Sequence, residues 1–155
     1  MIIQSGSAMP CHPTTRRAQG FSLVELMIVL AIIAIVAAIA IPDYQSSMAA
    51  NREISASNNL LGAMQFARSE AVTRRTGITV CASSDGSSCG ASWSAGGIVR
   101  TNAGVVLRTI PAANDVTIAG NAITFRGNGT SAGGSITVGS SKTVSVSAIG
   151  YAKIE

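Results

Sequence analysis

Catalytic side chains are scarce in this chain. Its one histidine, His12, falls among the first twenty residues, ahead of a long apolar run. Beyond that run nothing remains for a Ser/His/Asp set, a Cys/His pair or a histidine-bearing metal site. The seven acidic residues are dispersed, with no arrangement that resembles paired catalytic carboxylates. Asp85 and Asp115 stand in turn contexts, and Gly127-Asn-Gly129 is not a phosphate loop because no helical pattern follows it. Neither a catalytic residue, a metal ligand nor a cofactor site is expected. Aromatics are also few, at 4% of the chain, so any core must be built from Val, Ile, Leu and Ala. The lone Trp93, in a Ser/Gly-rich loop, reads as a local core plug. The formal charge of +4 falls to +2 when Arg16 and Arg17 are set aside. That is too mild to argue for nucleic acid on charge alone.

What the chain does have is one uninterrupted hydrophobic run. Phe21 to Ile41 is 21 residues long and contains a single ionisable side chain, Glu25. About 20 apolar residues suffice to cross a bilayer as a helix. A carboxylate within such a segment costs roughly 2.5–3.5 kcal/mol near the centre and less toward the end, which implies a partner. Residues 1–20 are polar, contain Pro10 and Pro13, and end in Arg16-Arg17-Ala-Gln-Gly20. They read as a processed leader, with the arginines keeping that side cytoplasmic. Three accounts of the run compete. A secretory signal peptide could be cut after Ala40, where Ala38-Ile39-Ala40 supplies the small residues. Its apolar region would, however, be unusually long and would hold an internal acid. A plain uncleaved anchor is the second account. Twin-arginine export fits poorly, since Ala-Gln-Gly follows Arg17. The third account is a class III leader.

Gly20-Phe-Ser-Leu-Val-Glu-Leu26 resembles the leader junction of the type IV pilin family. The resemblance implies that a prepilin peptidase cuts between Gly20 and Phe21 and that Phe21 becomes an N-methylated first residue. Glu25 is then the fifth residue. A new α-amino group beside it would supply the missing cation, and the family pattern pairs this carboxylate with the amino terminus of a neighbouring subunit. Pro42 falls where the family also has a proline, and a kink or local melting of the helix is expected there.

From Asp43 to Arg75 the pattern stays helical. Ala50, Ile54, Leu61, Met64, Ala67, Ala71 and Val72 recur at spacings of about three to four and predict one apolar stripe, widened by Leu60 and Phe66. Arg52, Glu53, Arg68, Glu70, Arg74 and Arg75 are expected to remain solvated. Arg74-Arg75-Thr76-Gly77 reads as the helix stop. Beyond it the period changes to two. Ile78/Val80, Ile123/Phe125, Ile136/Val138 and Val144/Val146 are the clearest strands, with shorter candidates at Ile98-Val99, Val105–Leu107 and Val116/Ile118. Gly-rich turns separate them, giving six to eight short antiparallel strands on the helix stripe. If the head is exported, Cys81 and Cys89, with seven residues between them, read as a disulfide. A metal pair is the alternative, against which stands the lack of a nearby histidine.

Gln65–Ala71, Ile78–Ser83, Asp85-Gly86, Cys89, Trp93, Ile123–Gly129 and Gly134–Val138 resemble the GspH/FimT (FimU-like) branch of minor pilins and pseudopilins. The implied fold is α+β, the pilin fold: a long N-terminal helix, part transmembrane and part amphipathic, packed on an antiparallel β head. The expected division is 1–20 leader, 21–42 transmembrane and assembly half, 43–76 amphipathic half, and 77–155 head. The implied function is that of a minor type IV pilin in a pilus initiation or tip complex. It would be held first in the bacterial inner membrane with its head in the periplasm, then in a pilus or pseudopilus. Expected partners are the major and other minor pilins, the prepilin peptidase and the inner-membrane assembly platform. Glu25 and Pro42 are the assembly residues. Two alternatives are a tip receptor for DNA and a type II secretion minor pseudopilin. DNA-binding members carry G-R-x-R near the end, where this chain has Gly150-Tyr151-Ala152-Lys153. DNA is therefore not the favoured partner. Lys153, Tyr151 and Arg126 are the candidate contacts, and Tyr151 is expected to be a packed edge residue of a terminal strand.

Overall fold

Two side-chain periods build the molecule, one helical and one extended. The computed structural model describes residues 20–155. The leader, with Cys11, His12, Arg16 and Arg17, lies outside the described residues apart from Gly20. A single α-helix, α1, runs Leu23–Arg74. Eight strands follow: β1 Ile78–Ala82, β2 Gly97–Thr101, β3 Val106–Ile110, β4 Ile118–Gly120, β5 Ile123–Phe125, β6 Gly134–Val138, β7 Lys142–Val146 and β8 Ala152–Ile154. The α+β expectation holds. Two units are described separately, one ending at Ala40 and one spanning Ile41–Glu155.

The strands form two four-stranded antiparallel sheets, ordered β3-β2-β1-β5 and β4-β6-β7-β8. This division was not visible in the strand pattern, because β4 and β5 are separated by only two residues yet belong to different sheets. The core joins both sheets to α1. Ile78, Val80, Val99, Ile123 and Phe125 come from the first sheet, and Ile136, Val138, Val144 and Val146 from the second. Alternate residues of a strand share a face, so the intervening Thr79 and Thr124 stay on the outer face, where their hydroxyls meet at 2.9 Å.

The helix presents a smaller face than its hydrophobicity predicts. Ala56, Leu60, Ala63, Met64, Ala67 and Ala71 are buried, whereas Ile54 and Val72 remain 46% and 50% exposed. The alanines decide the register, because small side chains let the sheets approach the helix backbone closely. Ser57 is buried in the same face and satisfies its hydroxyl on the Glu53 carbonyl one turn back, at 2.8 Å.

The helix ends at Arg74, within the expected stop, but the capping residue differs. Arg75, not Gly77, takes the left-handed conformation, with φ 51°. Thr76 N donates to Ala71 O and Arg75 N to Val72 O, the paired bonds of a Schellman cap. Gly77 lies instead against the Asn102 side chain, which a β-carbon there would displace.

Candidate assembly and binding sites

The first unit is an apolar rod with one acid in its first turn. Gly20, Phe21 and Ser22 precede the helix, and Leu26 N donates to Ser22 O at 3.1 Å, closing the first turn. Glu25 is the third helical residue, where the positive end of the peptide dipoles favours a carboxylate. Among the described residues no cation pairs with Glu25. From Phe21 to Ile41 the large apolar side chains are exposed, from 43% at Val29 to 82% at Phe21. Burying side chains of this size is worth about 1.5–3 kcal/mol each. Such a surface calls for an apolar environment, and the helix is long and apolar enough to cross a membrane.

In the second unit, Cys81 and Cys89 are joined, with their α-carbons 5.5 Å apart. Their loop lies over the outer face of the first sheet, where Cys81 and Ile98, paired across β1 and β2, are fully buried. Asp85 organises the loop. Its carboxylate accepts from the backbone of Ser88 at 2.9 Å and Ser87 at 3.0 Å, and from the hydroxyls of Ser88 and Ser83 at 2.7 and 3.0 Å. The Ser88 and Ser87 amides hold its pKa well below the usual carboxylate range. A carboxylate saturated in this way is a structural knot. Trp93 is buried and donates Nε1–H to Gly120 O at 3.0 Å, linking the loop to the second sheet.

Two side chains expected to be solvated tie distant turns to the helix. Glu53 accepts from Ser140 N at 3.1 Å and Ser141 Oγ at 2.9 Å, capping the β6–β7 turn. The Ser140 amide, and next the Ser141 hydroxyl, lower its pKa. Arg68 donates Nε–H to Gly129 O at 3.2 Å and Nη2–H to Ile149 O at 3.1 Å. It thereby joins the β5–β6 loop to the β7–β8 turn. The signal in the sequence was the glycine pair: Gly129 and Gly150 have φ 80° and 76°, and a β-carbon on Gly150 would lie 2.0 Å from Gly129 O.

The three candidate DNA contacts are only partly gathered. Arg126 and Tyr151 flank the two turns that Arg68 joins. Lys153 is on β8 and is ion-paired with Glu155, two residues on along the same strand face. Their hydrogen bond raises the lysine pKa and lowers the glutamate pKa. Tyr151 precedes β8 and is 57% exposed, so the packed-edge expectation is wrong. The reason is local: its backbone pairs with Ser147 to close the turn, which points the ring outward. A cavity of about 280 Å³ beside α1 is lined by Leu60, Ile110, Val116 and Ile118, with Arg52, Asn59 and Asn114 among its polar groups. It holds no nucleophile–base pair.

Comparison with known proteins supplies the family. A family model described as type II transport protein GspH matches residues 56–150. A prokaryotic N-terminal methylation motif matches residues 15–41. Fimbrial protein EcpC of Eikenella corrodens is 52% identical over 52 residues, which is 34% of this chain and 33% of that protein. The type IV major fimbrial protein FimA of Dichelobacter nodosus is 34% identical over 98 residues, 62% of this chain and 56% of that one. The chain thus spans between a third and just over half the length of these relatives. Among solved structures, the type IV minor pilin FimU of Pseudomonas aeruginosa matches with TM-score 0.56 at 24% identity, covering 68% of this chain and 89% of FimU. A second crystal form gives 0.51 at 23%, covering 65% and 90%. At those identities the likeness is one of fold.

Proposed function

This chain belongs to the GspH family of type IV minor pilins and pseudopilins, and on that premise we propose that it is a minor pilin joining a pilus initiation or tip complex. The family is structural, not enzymatic, and its members work with other pilins and with the peptidase that processes the leader. In the proposed route the peptidase cuts between Gly20 and Phe21, and Phe21 is N-methylated. The protein waits in the inner membrane by residues 21–41 with its head in the periplasm. An assembly platform then transfers it into the filament, and the head faces outward. The observation that carries this reading is Glu25. It is an acid without a cationic partner among the described residues, in the first turn of an exposed apolar helix that lies within the methylation motif. The amino terminus of a neighbouring subunit would complete it, making pairing and assembly one event.

Replacing Glu25 by Ala should leave expression and leader cleavage intact and reduce recovery in sheared filaments by at least tenfold. Wild-type recovery would refute the proposal. A type II secretion pseudopilin is a second reading, favoured by the description of the matched family model as a type II transport protein. Co-purification with a secretion major pseudopilin, rather than a major fimbrial subunit, would select it. DNA reception is disfavoured because Gly150-Tyr151-Ala152-Lys153 keeps one basic residue where the DNA-binding signature has two.

A further inference from the structure

Several large apolar side chains of the second unit stay exposed. Of those on α1, Ile54 and Val72 are about half exposed, and the half-buried Leu61 lies between them on the same side of the helix. At 3.6 residues per turn, the steps from 54 to 61 and from 61 to 72 bring all three within about 20° of one another. They form a strip about 27 Å long, turned roughly 120° from the face that packs on the sheets.

One end of the strip meets the β7–β8 turn. Gly129 lies beside Val72, since a β-carbon on it would be 3.0 Å from Val72 Cγ2, and Gly150 packs directly on Gly129 O. The turn is held from several sides. Gly150 N donates to Ser147 O and Ser147 N to Tyr151 O, both at 2.9 Å, and Tyr151 N donates to Ser147 Oγ at 3.1 Å. Arg68 holds the Ile149 carbonyl from the helix. This well-fixed turn exposes two large apolar side chains, Ile149 at 71% and Tyr151 at 57%. Closing a hairpin does not require them; a polar pair would serve. Rigid apolar and aromatic side chains displayed together are the usual anchors of protein interfaces, because little conformational entropy remains to be lost on binding.

Charge narrows the partner. Arg68 joins the turns, and Arg75 lies against Gly127, next to Arg126: a β-carbon on Gly127 would be 2.6 Å from the Arg75 carbonyl carbon. Among the described residues none of these three arginines has a carboxylate partner. Of the acids along the helix here, Glu53 is engaged on the β6–β7 turn and Glu70 on Arg74. We infer that the Ile54–Leu61–Val72 strip and the Ile149–Tyr151 turn together form the face that docks a neighbouring pilin subunit, one offering an apolar surface with carboxylates at its border. The inference rests on the proposed pilin function and adds to it the face and the chemistry of the partner. A nucleic acid is the weaker occupant. The face sets large apolar side chains beside only a few cations, whereas phosphate binding grows with the number of cations.

The test uses the full chain in piliated cells, with a benzophenone side chain placed at position 149 or 151. Position 105 serves as reference, since Val105 is equally apolar and 59% exposed but lies on the β2–β3 turn. Irradiation should give adducts from 149 and 151 whose second component is a pilin subunit, recognised by mass spectrometry from its N-methylated first residue, and none from 105. Adducts only with nucleic acid, only with non-pilin proteins, equal from all three positions, or absent would overturn the inference. In parallel, the double variant Ile149→Ser/Tyr151→Ser should lower recovery in sheared filaments about tenfold, with leader cleavage and the unfolding midpoint unchanged. If that variant is recovered like wild type while Glu25→Ala is lost, the docking face is wrong and the pilin function stands. If Glu25→Ala is also recovered, the pilin function itself fails, and the docking face with it.

Discussion

The same chemical change, glycine to alanine, should have opposite signs at two positions of this protein. Gly150 has φ 76°, in the left-handed region. An L-residue there costs about 1–2 kcal/mol. Its β-carbon would also lie 2.0 Å from Gly129 O and 3.1 Å from Arg68 Nε. The first contact is with backbone and cannot be relieved by a rotamer change, so the two turns must separate. Separation stretches the bonds from Arg68 to Gly129 O and Ile149 O. Hydrogen bonds from a charged donor are worth about 1.5–3 kcal/mol, and exposure of this pair places them at the low end. A gain of about 0.4–1 kcal/mol from a stiffer unfolded chain partly offsets these losses. The net expectation for Gly150→Ala is a destabilisation of about 2–4 kcal/mol.

Gly62 is the counterpart. It lies within α1, and nothing approaches within 4 Å of the place a β-carbon would take. Gly62→Ala should therefore stabilise by about 0.5–1 kcal/mol, the ordinary helix-propensity difference. Both variants of the full chain in mild detergent can be followed by urea unfolding with circular dichroism. At a slope of about 1–3 kcal/mol per molar urea, Gly150→Ala lowers the midpoint by roughly 1–2 M and Gly62→Ala raises it by a few tenths. A Gly150→Ala midpoint within 0.3 M of wild type would refute the packing of these turns.

Two further predictions concern the head. Replacing Cys81 and Cys89 together by Ser should destabilise it by about 2–3 kcal/mol, the chain-entropy value for so short a loop, measured as a lower unfolding midpoint that reducing agent does not lower further. Glu53 has its folded pKa below the ordinary value of 4.5, so its contribution to stability is present above pH 4.5 and is lost as pH falls through the lower folded value. Midpoints measured from pH 6 to pH 3 should therefore fall less steeply for Glu53→Gln than for wild type; parallel curves would contradict the Ser140 and Ser141 contacts.

The helix and most strands were legible because each follows a single period. Ile136/Val138 and Val144/Val146 alternate cleanly, and all four are buried. The buried face of α1 was harder to read because hydrophobicity and burial disagree there. Ala56 and Ala63 are buried and Ile54 is not, since the sheets select for closeness before bulk. The assignment of strands to two sheets depends on long-range pairing, such as Val80 with Ile123, that no local pattern encodes. The helix stop was legible in Arg74-Arg75-Thr76-Gly77, but the capping residue was not: Arg75, and not the glycine, bears the left-handed conformation.

Glu25 and the head residues differ in legibility for a physical reason. Glu25 is conspicuous because its solvent is wrong: an acid inside an apolar run carries an energetic penalty visible in one dimension. Arg68 has no such mark. It is a polar residue at a helix position compatible with solvent, and only the arrival of Gly129 and Ile149 from more than sixty residues away gives it a role. The same holds for Lys153. Counted alone it is a cation for phosphate, but β8 places Glu155 on the same strand face and neutralises it. Assembly chemistry that acts through desolvation is therefore written locally, and surface chemistry that acts through pairing is not. The Ile149–Tyr151 turn belongs to the second kind. Its two side chains look like candidates for a core until the fold, having filled that core with Val144, Val146 and Phe125, leaves them outside. On the docking proposal, these two side chains are the ones a neighbouring subunit covers.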